Sequence, residues 1–288
     1  MVHPAAVVLV LFSVLSALPL LRSLPELLND DYIADRKLQV KTTTASGVTY
    51  TATGVQSAKN ESIDGDLTIK AKVSGNSVTT KLFTSGKATA ETTLDRLGVD
   101  GLALKLKAAL AHDAVSGLAT AEFINKNMSL TVQSSLTASP VVDASAVIAH
   151  AGWRLGATTS FATEAKGLTG ANVTLAYADG GESEVTATLL NQATAAVVSY
   201  SHSVRPGFAV AAQFAYDQPS KECIVTAGTK TALPGGGWAK VKLDSLGSMS
   251  LAFIHEVRPG TTMVLSSRVG LKDGPKGPPK LGLSLVVE

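Results

Sequence analysis

"DLTIKAKV", at residues 66–73, alternates strictly between polar and apolar side chains. A period of two is typical of a β-strand with one polar face and one apolar face. The same pattern returns in "GLALKLKAAL" at 101–110 and in "WAKVKLDS" at 238–245, where lysines again occupy alternate positions. The sequence therefore predicts a series of strands that carry lysines on one face and apolar residues on the other.

The apolar residues are distributed along the chain and do not form long runs. Of the 288 residues, 45% are hydrophobic and only 17% are charged, and the mean hydropathy is +0.23. A soluble domain usually carries about 25% charged residues. However, no run after residue 32 approaches the about 20 consecutive apolar residues that a membrane-spanning helix requires. This composition favours strands with one exposed apolar face.

Composition and motifs give no basis for catalysis or for nucleic-acid binding. The net charge of +2 is too small for a nucleic-acid-binding surface, and the single Cys223 excludes an internal disulfide. The sequence lacks the spacings of common metal sites, and "PGGGW" at 234–238 lacks the Lys-Ser/Thr of a phosphate-binding loop. We expect no catalytic residue, no metal, no cofactor and no nucleic-acid partner.

From about residue 35 to the end, alternating segments of about ten residues are separated by turns rich in Gly, Asn, Asp or Pro. At about 13 residues per strand and turn, this region holds nineteen or twenty strands. The clearest segments are 37–44, 48–56, 65–74, 77–84, 101–111, 127–138, 171–178, 183–191, 194–204, 207–216, 221–231, 238–244, 249–257, 261–271 and 279–288. We predict one all-β domain at 35–288, preceded by a short helix and linker at 23–34.

A sheet of this length is expected to close into a barrel, because open edges promote aggregation. About nineteen strands enclose more space than side chains can fill, so the apolar face must point outward. A barrel with an apolar outside and a polar inside is a transmembrane barrel. We therefore expect Leu102, Leu104 and Leu106 to face lipid.

The lysines then line an aqueous lumen, where excess positive charge favours anions weakly because of screening by salt. The predicted pore-lining residues are Lys37, Lys41, Lys70, Lys72, Lys105, Lys107, Lys240, Lys242, Arg268, Lys272 and Lys280.

An internal repeat predicts two turns at one end of the barrel. "SHSVRPGF" at 201–208 and "IHEVRPGT" at 254–261 share His, Val, Arg, Pro and Gly in register. Their separation corresponds to about four strands, and an even number of strands returns the chain to the same end. In each turn we expect proline at the first central position and glycine, with positive φ, at the second.

Four stretches of the chain are distinctive: "LPELLNDDYIADRKLQVKTTTASGVTYTATG", "LTASPVVDASAVI", "HEVRPG" and "KLGLSLVVE". Together they resemble the voltage-dependent anion channels, or mitochondrial porins, and most closely their plant and algal members. The resemblance implies a nineteen-strand transmembrane barrel with a short helix in the pore. It also implies a voltage-gated, weakly anion-selective pore of the mitochondrial outer membrane that passes small anions, metabolites and nucleotides.

The implied partners are membrane lipid, the permeant anions and nucleotides and the mitochondrial barrel-insertion machinery, and the resemblance leaves pairing with a second copy of the chain open. The alternative function is a docking or import barrel whose N-terminus plugs the lumen.

The resemblance also assigns specific residues. The final strand fits the mitochondrial sorting pattern at Lys280, Gly282, Leu285 and Val287. A family nucleotide contact corresponds to Ser248, Ser250, Ser266 and Arg268.

The predicted helix, at about 24–31, follows a capping box in "SLPE" at 23–26. Family members have basic residues on this helix, whereas the present chain has Asp30, Asp31 and Asp35 in the corresponding segment. Residues 1–22 form an atypical apolar extension. Its run "AAVVLVLFSVLSALPLL" at 5–21 has three interpretations: a mistaken or alternative first exon, an anchor or extended helix, or a secretory signal.

Overall fold

The computed structural model describes residues 27–58, 62–73, 75–95, 98–111, 114–164, 167–271 and 279–288. These residues form two compact units. The first unit comprises 35–146, 159–169 and 284–288, and the second comprises 27–34, 147–158 and 170–283. The predicted extension at 1–22 and the capping box at 23–26 lie outside the described residues.

The described chain is almost entirely β-strand. Its strands are β1 Arg36–Thr43, β2 Thr49–Gln56, β3 Ile63–Val73, β4 Asn76–Phe83, β5 Ala88–Leu94, β6 Leu102–Ala111, β7 Ala114–Ile124, β8 Met128–Ser135, β9 Val141–His150, β10 Trp153–Ala162, β11 Gly167–Asp179, β12 Ser183–Leu190, β13 Ala195–Arg205, β14 Phe208–Asp217, β15 Glu222–Ala232, β16 Trp238–Asp244, β17 Ser248–Arg258, β18 Thr261–Gly270 and β19 Lys280–Val287.

The strands form one closed sheet. In the first unit, antiparallel pairing runs from β1 to β8, and in the second it runs from β11 to β18. The sheet contains all nineteen strands, and β1 pairs with both β2 and β19. The prediction of an all-β barrel of about nineteen strands is therefore confirmed.

The two repeated turns have the predicted backbone conformation. Each follows an odd-numbered strand, β13 or β17, so both lie at the same end of the sheet. Gly207 and Gly260 have φ angles of 82° and 81°. Side-chain-bearing residues rarely adopt such angles, so glycine is the natural residue at both positions.

The described part of the N-terminal segment contains little helix. Leu27 and Leu28 are helical, and residues 29–31 form a turn in which Asp31 has a φ of 71°. Since a positive φ cannot continue a right-handed helix, the helix ends earlier than the predicted residue 31. Within the described ranges, none of the helical structure is long and apolar enough to cross a membrane.

Candidate functional site: the inward face of the barrel

The two faces of the sheet differ in chemistry. Directly paired residues of an antiparallel sheet point to the same face. Once the face of one residue is known, the register therefore gives the face of the residues paired with it on the neighbouring strands. One face carries exposed apolar side chains such as Leu38, at 51% exposure, and Val198, at 46%. We call this the outward face, and the opposite face, which contacts residues 27–33 in the second unit, the inward face. Leu102, Leu104 and Leu106 share the outward face of β6, opposite Lys105 and Lys107.

Six of the predicted lumen lysines lie on the inward face of the first unit: Lys37, Lys41, Lys70, Lys72, Lys105 and Lys107. Two of them form ion pairs. Lys105 Nζ lies 2.6 Å from Glu122 Oε1, and Lys41 Nζ lies 2.7 Å from Glu288 Oε1. Among the described residues, the other four lysines form no ion pair. These four place positive charge without an ion pair on the inward face, and Glu91 of β5 pairs in register with one of them, Lys107.

Sequence reasoning missed a further inward cation, Lys81 of β4. Lys81 pairs in register with Thr68, and its Nζ lies 3.3 Å from Asp66 Oδ2. The strand "NSVTTKLF" lacks a regular alternation of polar and apolar residues, so its pattern does not indicate which side chains face inward. Only the register with β3 assigns Lys81 to the inward face.

In the second unit, Lys240 of β16 is buried against the N-terminal segment. Its Nζ lies 2.5 Å from Asp31 Oδ2, and the two side chains are 1% and 32% exposed. The resemblance implied basic residues in this segment, whereas the present chain has acids at 30, 31 and 35. The structure shows that one of these acids instead pairs with a predicted lumen lysine.

The neighbouring Lys242 binds the same segment through its backbone and an aromatic ring. Its Nζ donates a hydrogen bond to the Leu28 carbonyl at 2.8 Å and lies 4.4 Å from the centre of the Tyr32 ring. Both contacts use the ammonium group, since a cation is attracted to the face of an aromatic ring. Lys242 therefore holds the segment and is not a free charge of the lumen.

Apolar contacts and two glycines complete this attachment. Leu27 and Leu28 are 4% and 2% exposed and pack with Ala211 of β14. A Cβ at Gly228 would lie 2.7 Å from Leu28 Cδ2, and a Cβ at Gly282 would lie 2.4 Å from the Ile33 carbonyl oxygen. A side chain at position 282 would therefore meet the backbone of the segment, whereas one at position 228 would meet the flexible end of the Leu28 side chain. We call residues 27–33 the docked segment.

Tyr32 is a partly buried member of the docked segment. Its hydroxyl donates a hydrogen bond to the Leu27 carbonyl at 3.3 Å. Burial, together with the nearby negative charge of Asp31, raises the pKa of Tyr32 from 10.0 to about 12. Both effects disfavour the phenolate, so the docked segment favours the neutral side chain.

The residues of the implied nucleotide contact lie together on the inward face of β17 and β18. Ser250 pairs in register with Arg268, and Arg268 Nε donates a hydrogen bond to Ser248 Oγ at 2.8 Å. Ser266 is buried, and its hydroxyl donates a hydrogen bond to the Ile33 carbonyl. The docked segment thus already engages one of the four residues.

The remaining predicted residues lie near the C-terminus. Lys272 falls outside the described residues, and Lys280 is the first residue of β19. Along this strand Leu281 and Leu283 are exposed while Gly282 and Ser284 are buried. Continuing this alternation places Lys280 and Gly282 on the inward face and Leu285 and Val287 on the outward face.

Next to the docked segment, a cavity of about 660 Å³ is lined by Leu27, Arg154, Glu184, Ser201 and Lys230, among other residues. Within it, Arg154 Nη1 lies 3.6 Å from Glu184 Oε1. The cavity therefore contains charges of both signs and carries little of the excess positive charge.

Comparison with known proteins agrees with this architecture. The family model described as "Eukaryotic porin" matches residues 20–282. The chain belongs to the eukaryotic porin family. Its strand number and its polar inward face are those expected of a membrane-spanning pore, as the resemblance predicted.

Relatives from several plants match nearly the whole chain. A protein named mitochondrial outer membrane protein porin 2, from Oryza sativa subsp. japonica, is 30% identical over 265 residues, which cover 91% of this chain and 92% of the relative. The mitochondrial outer membrane protein porin of 34 kDa from Solanum tuberosum is 28% identical and covers 91% and 94%. An outer plastidial membrane protein porin from Pisum sativum is also 28% identical, with the same coverage.

Proposed function

We propose that this porin is a voltage-gated, weakly anion-selective pore of the mitochondrial outer membrane. Small anions, metabolites and nucleotides pass through it by diffusion, and the chain performs no catalysis. The mitochondrial names of several relatives and the sorting pattern in β19 support this location. The observation that carries the proposed selectivity is the set of four inward lysines without ion pairs, Lys37, Lys70, Lys72 and Lys107.

Selectivity in this proposal arises from fixed charge along an aqueous path. Positive side chains attract anions, but at physiological salt the attraction is screened within about 8 Å. Lysines that already pair with carboxylates contribute less, because the carboxylate cancels their field at a distance. We therefore assign selectivity mainly to the four unpaired lysines and only weakly to Lys41, Lys105 and Lys240. Lys242 forms none of these ion pairs, and its ammonium group contacts the docked segment.

The proposed voltage response involves the docked segment. This segment carries acidic residues and is attached to the inward face partly by the ion pair between Asp31 and Lys240. A transmembrane potential acts on such charges with about 2.3 kcal/mol per elementary charge moved through 100 mV. Movement of the segment relative to β16 would therefore change both the lumen width and its charge.

Reversal potentials in a planar bilayer under a potassium chloride gradient test the selectivity. The double variant Lys70→Glu/Lys72→Glu should shift the reversal potential towards cation preference, most strongly at low salt. The control Lys126→Glu/Lys221→Glu makes the same charge change at two turns and should shift it much less. An equal shift in both variants would show that net charge, and not the inward position, determines the preference.

The alternative proposal is a docking or import barrel that the N-terminus plugs. The position of residues 27–33 on the inward face of β14–β18 is the observation that favours it. Purified protein in the same bilayer distinguishes the two functions. A large conductance with mild anion preference supports the pore, whereas insertion without conductance supports the plug.

A further inference from the structure

The repeated hairpins β13–β14 and β17–β18 place polar side chains on the outward face at one end of the second unit. His202 pairs in register with Val210, and His255 pairs with Met263. Val210 and Met263 belong to the outward rows of β14 and β18, so both histidines also face outward. These positions require an explanation, because the outward face is otherwise mainly apolar.

Each hairpin also contains a β-bulge that moves an arginine to the same face. The register shifts between Ser203 and Arg205 in β13, and between Glu256 and Arg258 in β17. Ser203 and Glu256 face inward, so strict alternation would also direct the two arginines inward. A bulge adds one residue to its strand and reverses the alternation.

The partners of the two arginines confirm this reversal. Arg205 pairs with Phe208, which lies on the outward row of β14, and its guanidinium lies 5.8 Å from the centre of the Phe208 ring. Arg258 pairs with Thr261, at an outward position of β18. Both guanidinium groups are therefore directed towards the membrane side of the barrel.

Aromatic rings indicate how deep in the membrane Arg205 and Arg258 lie. The Tyr200 and His202 rings are stacked with centroids 6.3 Å apart, and the Phe253 and His255 rings are stacked with centroids 5.9 Å apart. In membrane barrels, outward aromatic residues mark the boundary between hydrocarbon and lipid headgroups. The arginines follow these rings towards the strand ends, which places them at the level of the headgroups.

We propose that the outward end of each hairpin binds the phosphate group of an anionic membrane lipid. Arg205 supplies the guanidinium in β13–β14, and Arg258 supplies it in β17–β18. Within the described part of the chain, neither arginine forms an ion pair with a carboxylate. A guanidinium offers a planar fork of donors that matches phosphate oxygens, and its apolar stem lies along the adjacent aromatic side chain.

A third hairpin, β9–β10, provides an internal comparison. His150 and Trp153 flank a two-residue turn, and the Trp153 ring lies 4.8 Å from the outward Tyr177 ring. The hairpin has no outward arginine, because Arg154 faces the cavity and contacts Glu184. The proposal therefore predicts two phosphate sites in these three hairpins.

Native mass spectrometry of the purified full chain tests the proposal, with dioleoylphosphatidylglycerol and dioleoylphosphatidylcholine added in equal amounts. The unmodified protein should retain up to two phosphatidylglycerol molecules in preference to phosphatidylcholine. Arg205→Gln and Arg258→Gln should each remove one, with about fivefold weaker binding per lost charge near the membrane surface, and the double variant should retain neither.

Lys221→Gln is the matched control, since it removes one positive charge from a turn at the other end of the sheet and should leave both lipids bound. Single-channel conductance, measured separately, should be unchanged in the arginine variants and shows that they are folded. Retention of as much phosphatidylglycerol by the double variant as by the unmodified protein would overturn the proposal. Displacement of the lipid by inorganic phosphate at similar concentration would also overturn it, because the sites would then recognise free phosphate.

Discussion

Replacing Asp31 with asparagine should release the docked segment, because it leaves the Lys240 charge buried without this carboxylate. Removing one partner of a buried ion pair costs about 3–5 kcal/mol. Asp31 is 32% exposed, so part of its charge is already screened by water and we expect about 2–3 kcal/mol here. Such a loss raises the undocked fraction about 30- to 150-fold.

Replacing the other partner of the ion pair, Lys240, should release the docked segment less. Lys240→Met removes the charge that is 1% exposed and leaves Asp31, which water can reach. A partly exposed carboxylate without its partner costs about 0–1 kcal/mol. Lys240 also pairs in register with Lys230, so the methionine variant removes a like-charge neighbour. The double variant Asp31→Asn/Lys240→Met should therefore be close to the parent protein.

The rate of thiol labelling at position 28 measures the undocked fraction. Leu28 is 2% exposed, so a cysteine introduced there should react with a water-soluble reagent only after the segment leaves the wall. The exposed native Cys223 is first replaced with serine, and each variant is then compared in liposomes. Labelling of the Asp31→Asn variant within about twofold of the parent would refute the proposed role of the ion pair. Equally fast labelling of the Lys240→Met variant would refute the explanation by unequal burial.

Three further predictions use the same geometry. Gly282→Ala would bring a Cβ within 2.4 Å of the Ile33 carbonyl oxygen, which should destabilise docking by about 1–3 kcal/mol and speed labelling at position 28. Gly270→Ala is the control, since its Cβ would have no atom within 4 Å, and it should leave the labelling rate unchanged. Leu104→Arg should weaken folding into lipid vesicles by about 2–4 kcal/mol if it lies near the bilayer midplane, whereas the inward Thr51→Arg should have little effect in the same denaturant titration. The phenolate absorbance of Tyr32 is measured as the signal that the parent has and Tyr32→Phe lacks. It should appear with a midpoint near pH 12 and not near 10. Because the pKa is raised on docking, the contribution of neutral Tyr32 to docking is complete below pH 10 and is lost between about pH 10 and 12.

The fold could be predicted from the sequence because a β-strand repeats every two residues. In β6 this period separates Leu104 and Leu106 from Lys105 and Lys107 without any knowledge of the neighbouring strands. The same signal is weak in β5, β7, β9 and β10, which were absent from the clearest predicted segments. These strands are rich in Ala, Ser, Thr and Gly, whose small side chains contrast little between the two faces.

The partners of the charged side chains could not be predicted in the same way. Asp31 and Lys240 are separated by 209 residues, so no local pattern relates them. Bulges present a different difficulty, because strict alternation gives the wrong face for Arg205. Only the register with β14 shows that its strand contains one extra residue before the turn.

The acidic N-terminal segment and the lysines of β16 are best understood as complementary charges. The resemblance implied a basic helix, and a basic segment would be repelled by Lys240 and Lys242. Here Asp31 accepts the Lys240 ammonium, while Lys242 binds the Leu28 carbonyl and the Tyr32 ring. Docking thus compensates the charge of Lys240 in the second unit, whereas the four lysines of the first unit form no ion pair among the described residues. Consequently, the charge of the segment and that of β16 must change together if docking is to be preserved, whereas Lys70 and Lys72 can change independently of both.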